Sequence, residues 1–390
     1  MAPQGADMTT DAASTVSETS RELARAVLIH GPISRSDLGR RLGLSPASLT
    51  RLSKPFLDCG LFVEGSEDRD GTVGRPARPL DVRVDASRFV GVKLTGDDVF
   101  AVLTDLRANE VGSARRVLAD HTVEHVVARI DEVVRELGGP DGLSALGVCV
   151  GGHVTDARVV TRAPFLGWHD VDLATRLERL LGIPVTIEND VVALTSAEQW
   201  FGAVRGAPTF AVLTIGVGVG YGLVVNDQVI VTADSGLGLG GHIPLDPNGP
   251  LCPEGHRGCS QAMLTSQSVS AQVSVALGRE VDYDEVLRLA VEGNRAAASV
   301  VTATGRGLGR LIAVIANIGM LDTIVLSGEG MPLWALASEE VIAAARADRD
   351  PDATPLTIVV DDSGVSSWAR GAAAVAIQRS LGRLAAAASE

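Results

Sequence analysis

Apolar positions at Leu38, Leu42, Leu44, Leu49 and Leu52 recur at helical spacing on either side of a short break. They predict two helices, about Arg35–Leu42 and Pro46–Cys59, held face to face across a tight turn. Gly43 stands at the C′ position where the first must stop, Ser45 is placed to cap the second, and Pro46 fits its first position. A preceding helix near Glu18–His30 buries Leu23, Val27 and Leu28. Leu61–Glu64 and Leu80–Val84 read as the two strands of a wing, joined by Gly65–Pro79. From Phe89 the pattern changes. Phe89–Thr95, Phe100–Thr104 and Glu110–Val117 read as a three-stranded meander. They are followed by a helix over Thr122–Glu136, a strand Leu146–Val150, a helix Leu173–Leu180, and a strand Val185–Glu188 ending at Asn189-Asp190. A further helix begins at Ala193–Trp200. The meander then starts again at Phe210–Ile215, Tyr221–Val225 and Gln228–Val231. A helix near Arg295–Asn317, strands Thr323–Leu326 and Leu356–Val360, and an Ala-rich helix Ala369–Ala387 follow. A meander plus βαβ units, met twice, predicts two related α/β halves with a cleft at the carboxyl ends of their strands.

Composition narrows the class. The chain has 390 residues, 46% of them hydrophobic and only 3% aromatic, so Leu, Val, Ile and Ala must fill its cores. Its net charge is −14, which argues against a chain built wholly to bind nucleic acid. The distribution matters more. Arg21 to Leu80 holds ten Lys/Arg against seven Asp/Glu, a net of +3, which leaves −17 for the rest. A basic head can meet phosphates while an acidic body stays off a duplex. Met1 to about Ser17 lacks periodicity and reads as a disordered tail. Four cysteines are too few for a secreted disulfide scaffold, and no basic-plus-apolar leader opens the chain. The apolar stretch Leu311–Leu326 is interrupted by Asn317 and Asp322 and is not read as a membrane span. The expectation is a cytoplasmic protein.

The two short helices and their turn are written as a helix-turn-helix, which sets the second helix in a DNA major groove. That helix carries Ser45, Ser48, Thr50, Arg51 and Lys54. Arg51 has the fork to read a guanine bidentately, while Lys54 and Arg41 suit phosphates, and Arg35 adds a cation on the neighbouring helix. Two readings of the loop 65–79 stay open: a solvated linker, or an arm whose Arg75 and Arg78, stiffened by Pro76 and Pro79, enter a minor groove.

Three constellations carry chemistry in the body. Gly216, Gly218, Gly220 and Gly222 recur at every second position after a strand, where bare backbone amides can approach a phosphate or sugar. Asp190 at a strand end can take a proton from a hydroxyl, accept a hydrogen bond from it, or cap the helix that begins near Val192. His242, Cys252 and Cys259, in a Gly- and Pro-rich loop, suit tetrahedral zinc. Glu254 or His256 is open as the fourth ligand.

From about Glu18 onward these residues resemble the ROK family (repressors, open reading frames, kinases), in its repressor branch with an N-terminal winged helix. The resemblance rests on GPISRSDLGRRLGLSPASLTRL with GRPARPL, on APFLGW at Ala163–Trp168, on IENDVVAL at Ile187–Leu194, and on the glycine run and the His242…Cys252…Cys259 loop. It implies an N-terminal winged helix-turn-helix over 18–84 and a duplicated ribonuclease-H-like body of the actin/hexokinase type over 85–390. Lobe one would take about 85–195 with helix 369–387, and lobe two about 196–368. It further implies a homodimer or homotetramer that binds an operator in double-stranded DNA and responds to a sugar or sugar phosphate.

The departures from the family pattern weigh between regulator and kinase. Where family kinases read DxGGT, this chain has Lys93-Leu94-Thr95-Gly96-Asp97, and GTGxGxG becomes Gly216-Val-Gly-Val-Gly-Tyr-Gly. Phosphoryl transfer rests on charge and positioning around the phosphates, so both changes point to a silent kinase in which Asp190 is a vestigial base. The competing expectation is a working ROK-type sugar kinase using Asp190. Gly152, Asn189, Asp190 and His242 keep the family's effector positions, whereas Leu239 and Gln261 replace its two glutamates. The zinc set implied here is His242, Cys252, Glu254 and Cys259, with Glu254 in the place of a Cys.

Overall fold

The structure, a computed structural model, describes residues 18–65 and 78–387. The tail before Glu18, and the connection that includes Arg75, lie outside the described residues. Contacts divide the chain into two compact units, 1–86 with 378–390 and 87–377.

In the smaller unit, α1 (Glu18–His30), α2 (Arg35–Leu42) and α3 (Pro46–Asp58) are followed by β1 (Phe62–Glu64) and β2 (Leu80–Val82), an antiparallel pair. Each break is made by a local device. The Ser34 hydroxyl accepts from the Asp37 amide to start α2, Gly43 adopts the left-handed conformation (φ 63°) that stops it, and Ser45 accepts from the Ser48 amide to start α3. Leu23, Val27, Leu28, Leu38, Leu49, Phe56 and Phe62 form the core, with Phe56 and Phe62 stacked at 4.6 Å. Leu80 exchanges both backbone hydrogen bonds with Ile33, which ties the ribbon to the entry of α2. The second wing strand stops at Val82, because Val84–Ala86 turns into a 3-10 segment.

The larger unit contains two five-stranded sheets. The first is built from β3 (Arg88–Leu94), β4 (Asp98–Thr104), β5 (Glu110–Val117), β6 (Leu143–Val150) and β10 (Val185–Asn189), in the order β10-β6-β3-β4-β5. Between β6 and β10 come β7 (His153–Thr155), β8 (Val159–Ala163) and β9 (Trp168–Asp172), a small antiparallel sheet that the hydrophobic pattern did not disclose. Helix α4 (Val123–Glu136) enters before β6, and α5 (Leu173–Leu181) before β10. Helix α6 (Asp190–Phe201) leads to the second sheet of β11 (Phe210–Ile215), β12 (Val219–Val225), β13 (Gln228–Val229), β14 (Thr323–Ser327) and β15 (Thr357–Val360). Its order is β13-β12-β11-β14-β15. Each sheet therefore has an antiparallel meander whose first strand is central, with the fourth strand parallel beside it and the fifth beyond.

Helices α7 (Ser260–Leu264), α8 (Ser266–Leu277), α9 (Tyr283–Val291), α10 (Arg295–Gly319) and α11 (Trp334–Ala347) cover the second sheet, and α12 (Val365–Ala387) ends the described chain. By length and apolarity α10 alone among the described helices could cross a membrane. Here Val301, Leu308, Leu311, Ile312 and Ile315 place it in the second core instead. On α12, the backbone of Ala369 to Ala373 lies directly on β3 and β6. A Cβ on Gly91 would stand 2.0 Å from the Ala369 carbonyl oxygen, and one on Gly147 would stand 1.9 Å from that of Ala372.

Candidate functional site

Lys93 near the end of β3, Asp190 just after β10 and Glu329 just after β14 act on one another electrostatically. Asn189, not Asp190, caps α6: its side-chain oxygen accepts from the Val191 and Val192 amides, and Asp190 is the first helical residue. The helix thus begins two residues earlier than its apolar pattern implies. Asn189 Nδ2 donates to the Gly152 carbonyl at 2.8 Å, so its whole amide is already committed. Asp190 Oδ1 accepts from the Val191 amide, and Oδ2 accepts from Lys93 Nζ.

The Lys93–Asp190 pair is nearly shut off from water, with the two side chains 8% and 14% exposed. The ammonium also lies 4.7 Å from the centre of the Trp368 ring, within cation–π range. Burial by itself would lower the Lys93 pKa. The Asp190 carboxylate, with Glu329 beyond it, outweighs that and holds the amine above its ordinary range, firmly charged. Glu329 stands over the glycine run, since a Cβ on Gly216 would meet its Oε2 at 2.3 Å. Cys149 packs behind, its thiol pushed up to about 12 by burial and thereby kept protonated. Lys93 is visible in the sequence as a departure, but its partners are 97 and 275 residues away. Nothing local announces Glu329 or Trp368.

Of the other expected effector residues, Gly152 joins Asn189. Gln261 faces Gly241, its Oε1 3.7 Å from where a Cβ would stand. His242 belongs to a different cluster. Its Nδ1 is 3.9 Å from Cys252 Sγ and 3.7 Å from Cys259 Sγ, and His256 Nδ1 is 3.6 Å from Cys252 Sγ. Two donors on one tetrahedral zinc, with bonds near 2.3 Å to sulfur and 2.0–2.1 Å to nitrogen, sit about 3.6 Å apart. The spacing of these side chains fits such an ion. Ligand atoms of His242, Cys252 and His256 all lie within 4.8 Å of one another. Glu254 is outside that group: it is exposed, its carboxyl held low chiefly by a hydrogen bond from Cys252. The local reason is the turn Cys252–Gly255, closed by a backbone hydrogen bond from Gly255 to Cys252, after which His256 returns its carbonyl to the Cys252 amide.

In the smaller unit the expected DNA contacts divide in two. Arg41, Arg51 and Lys54 are exposed and carry no ion pair among the described residues. Ser45 and Ser48 hydrogen-bond each other at the start of α3, and Thr50 donates to the Pro46 carbonyl. Arg35 is an internal strut. It donates to Glu64 at 2.5 Å and to the Arg78 carbonyl at 3.1 Å, and Arg78 itself approaches Glu64 at 3.9 Å. Both arginines brace the base of the ribbon.

Two five-stranded sheets of one strand order, with a buried ion pair at the end of the first, define the class, an α/β body accompanied by a small three-helix unit. Residues 89–379 match the ROK family, and the chain belongs to that family. The DNA-binding transcriptional repressor Mlc of Escherichia coli (strain K12) is 29% identical over 321 residues, 78% of either chain. The xylose repressor of Bacillus subtilis (strain 168) is 25% identical over 273 residues, 69% of this chain and 71% of its own. A solved ROK family transcriptional regulator, a homolog of the E. coli Mlc protein, shares the fold at a TM-score of 0.78 with 23% identity, over 95% of this chain and 99% of its own.

Proposed function

We propose that this protein is a DNA-binding transcriptional repressor whose ROK body senses a sugar or sugar derivative and no longer transfers phosphate. The observation that carries the loss of catalysis is the Lys93–Asp190 pair. A base must be free to receive a hydroxyl proton, and here an ammonium already occupies the carboxylate. Glu329 over Gly216 adds a negative charge where a nucleotide phosphate would need the bare amides. Both changes act against ATP.

The smaller unit supports a winged helix-turn-helix over 18–84, in which α3 is the recognition helix and β1–β2 the wing. Arg51 reads a base edge, and Arg41 and Lys54 take phosphates. The repeated strand order supports a duplicated ribonuclease-H-like body of two lobes over 85–390. Zinc, held by His242, Cys252, His256 and Cys259, would tie the loop 242–259 to α7 without entering any reaction. Two such chains would present two recognition helices to a palindromic operator in the cytoplasm. Sugar binding shifts the dimer between states of different operator affinity.

The test has two arms. Genomic mapping of bound DNA should give a palindromic site, and purified protein should show no hexose-dependent ATP hydrolysis. Turnover that disappears in Asp190→Asn would overturn the non-enzymatic reading.

A further inference from the structure

The cleft has little left with which to bind a bare sugar. The Asn189 amide is spent on Gly152 and the helix start. His153 spends Nε2 on the Ala233 carbonyl at 2.9 Å, and its Nδ1 lies 2.6 Å from Thr161 Oγ1. Asp190 retains only the lone pairs that Lys93, the Val191 amide and Asn189 Nδ2 leave. One large apolar side chain stands bare beside it, and others stand bare on the neighbouring segment 236–240. Phe165 is 55% exposed, and its ring edge lies 3.5 Å from where a Cβ on Gly151 would stand, with Asp190 Oδ2 at 3.3 Å from the same point. On the other side of the Gly151-Gly152 pair, Gly236 packs on the Gly152 carbonyl and on Asn189 Nδ2. Leu237 and Leu239, which follow Gly236 in the chain, are 40% and 61% exposed. Tyr221 closes the row, its ring against Gly240.

We propose that the cleft takes an amphipathic ligand, a glycoside with an aryl or alkyl aglycone, which offers a hydroxyl to Asp190 and lays its apolar part on Phe165, Leu237 and Leu239. This rests on the sensor reading above and narrows it. A free hexose would lay hydroxyls on these side chains and leave most of them without the partners they have in water, a modest penalty for each. An aglycone removes the apolar surface from water instead. The loop that carries Leu237 is held by the His153–Ala233 hydrogen bond, so the surface is formed before the ligand arrives.

Calorimetric titration of the full chain with p-nitrophenyl glycosides of glucose, galactose, mannose and xylose, each beside its free sugar and beside p-nitrophenol, tests this. At least one glycoside should bind about tenfold or more tighter than both its free sugar and the phenol, the scale of discrimination an apolar pocket provides. Phe165→Ala and Leu239→Glu should each remove most of that margin. Both side chains are exposed, so neither change threatens folding. Free sugars binding as well as their glycosides, phenol binding as well as the glycoside, or no binding by any probe would each overturn the proposal. Operator binding by the same preparation, followed by gel shift, reports separately on whether the protein is a DNA-binding regulator at all.

Discussion

Lys93 Nζ and Asp190 Oδ2, brought together from β3 and the first turn of α6, are hydrogen-bonded partners in a site almost closed to water. Removing one member strands the other as a buried charge, which costs about 3–5 kcal/mol, whereas neutralising both is nearly free. Lys93→Met should therefore lower the thermal midpoint markedly, and Lys93→Met with Asp190→Asn should recover most of the loss. Calorimetric unfolding of the four members of the cycle measures the coupling. Additive effects would show that the pair does not act as a unit.

The metal loop separates two neighbouring residues. The purified protein should carry about one zinc per chain. His256→Ala should lose most of it while Glu254→Ala retains it, because His256 and not Glu254 stands with His242 and Cys252. Elemental analysis after gel filtration reads this directly, and chelation should lower the unfolding temperature of the wild type but not of His256→Ala.

On the DNA side, the ion pairs make unequal forecasts for two arginines. Arg51→Ala should weaken operator binding by about 1–3 kcal/mol and relax preference at one base pair. Arg35→Ala should loosen the ribbon, because Arg35 holds Glu64 and the Arg78 carbonyl. Its effect should appear as easier proteolysis of the wing and uniformly weaker binding, with base preference unchanged. Competition gel shifts against single-base operator variants distinguish the two patterns.

Glu198, on α6, gives a pH signature. Burial, reinforced by Asp361 nearby, pushes its carboxyl up to about 7, and its Oε2 has no hydrogen-bond partner among the described residues. The folded state therefore prefers the protonated form. Stability is greatest below the ordinary Glu value of 4.5, falls as pH rises toward about 7, and stays low above it. A shift of this size corresponds to about 3 kcal/mol. Glu198→Gln should flatten that decline and exceed the wild type in stability at pH 8, as denaturant titrations across the range will register.

The helical head and the repeated meander were legible because each follows a period and ends in explicit chemistry: Gly43 with Ser45-Pro46 at one turn, Asn189-Asp190 at a strand end. The small sheet β7–β9 was not, since its strands are three to five residues long and mostly half-exposed or exposed. Asp190 and the His242–Cys259 loop stood out as residue types in unusual company. What sequence could not supply was pairing. Arg35 reads as a spare cation until Glu64 is seen beside it, and Glu254 is nearer the expected ligand spacing than His256 until the turn at Gly255 carries it outward. The same holds for Lys93, whose substitution was visible but whose partner, Asp190, lies on another element.

The placement of α12 bears on how the protein is made. Its alanine backbone seats on Gly91 and Gly147 in the first sheet, and Trp368 roofs the Lys93 ammonium. Strands β3 and β6, made early, must wait for a helix more than 200 residues further along the chain before this seat is filled. Premature termination before this helix would leave the nascent first sheet sticky and its charged centre wet, an invitation to chaperones and proteases rather than a shortened sensor.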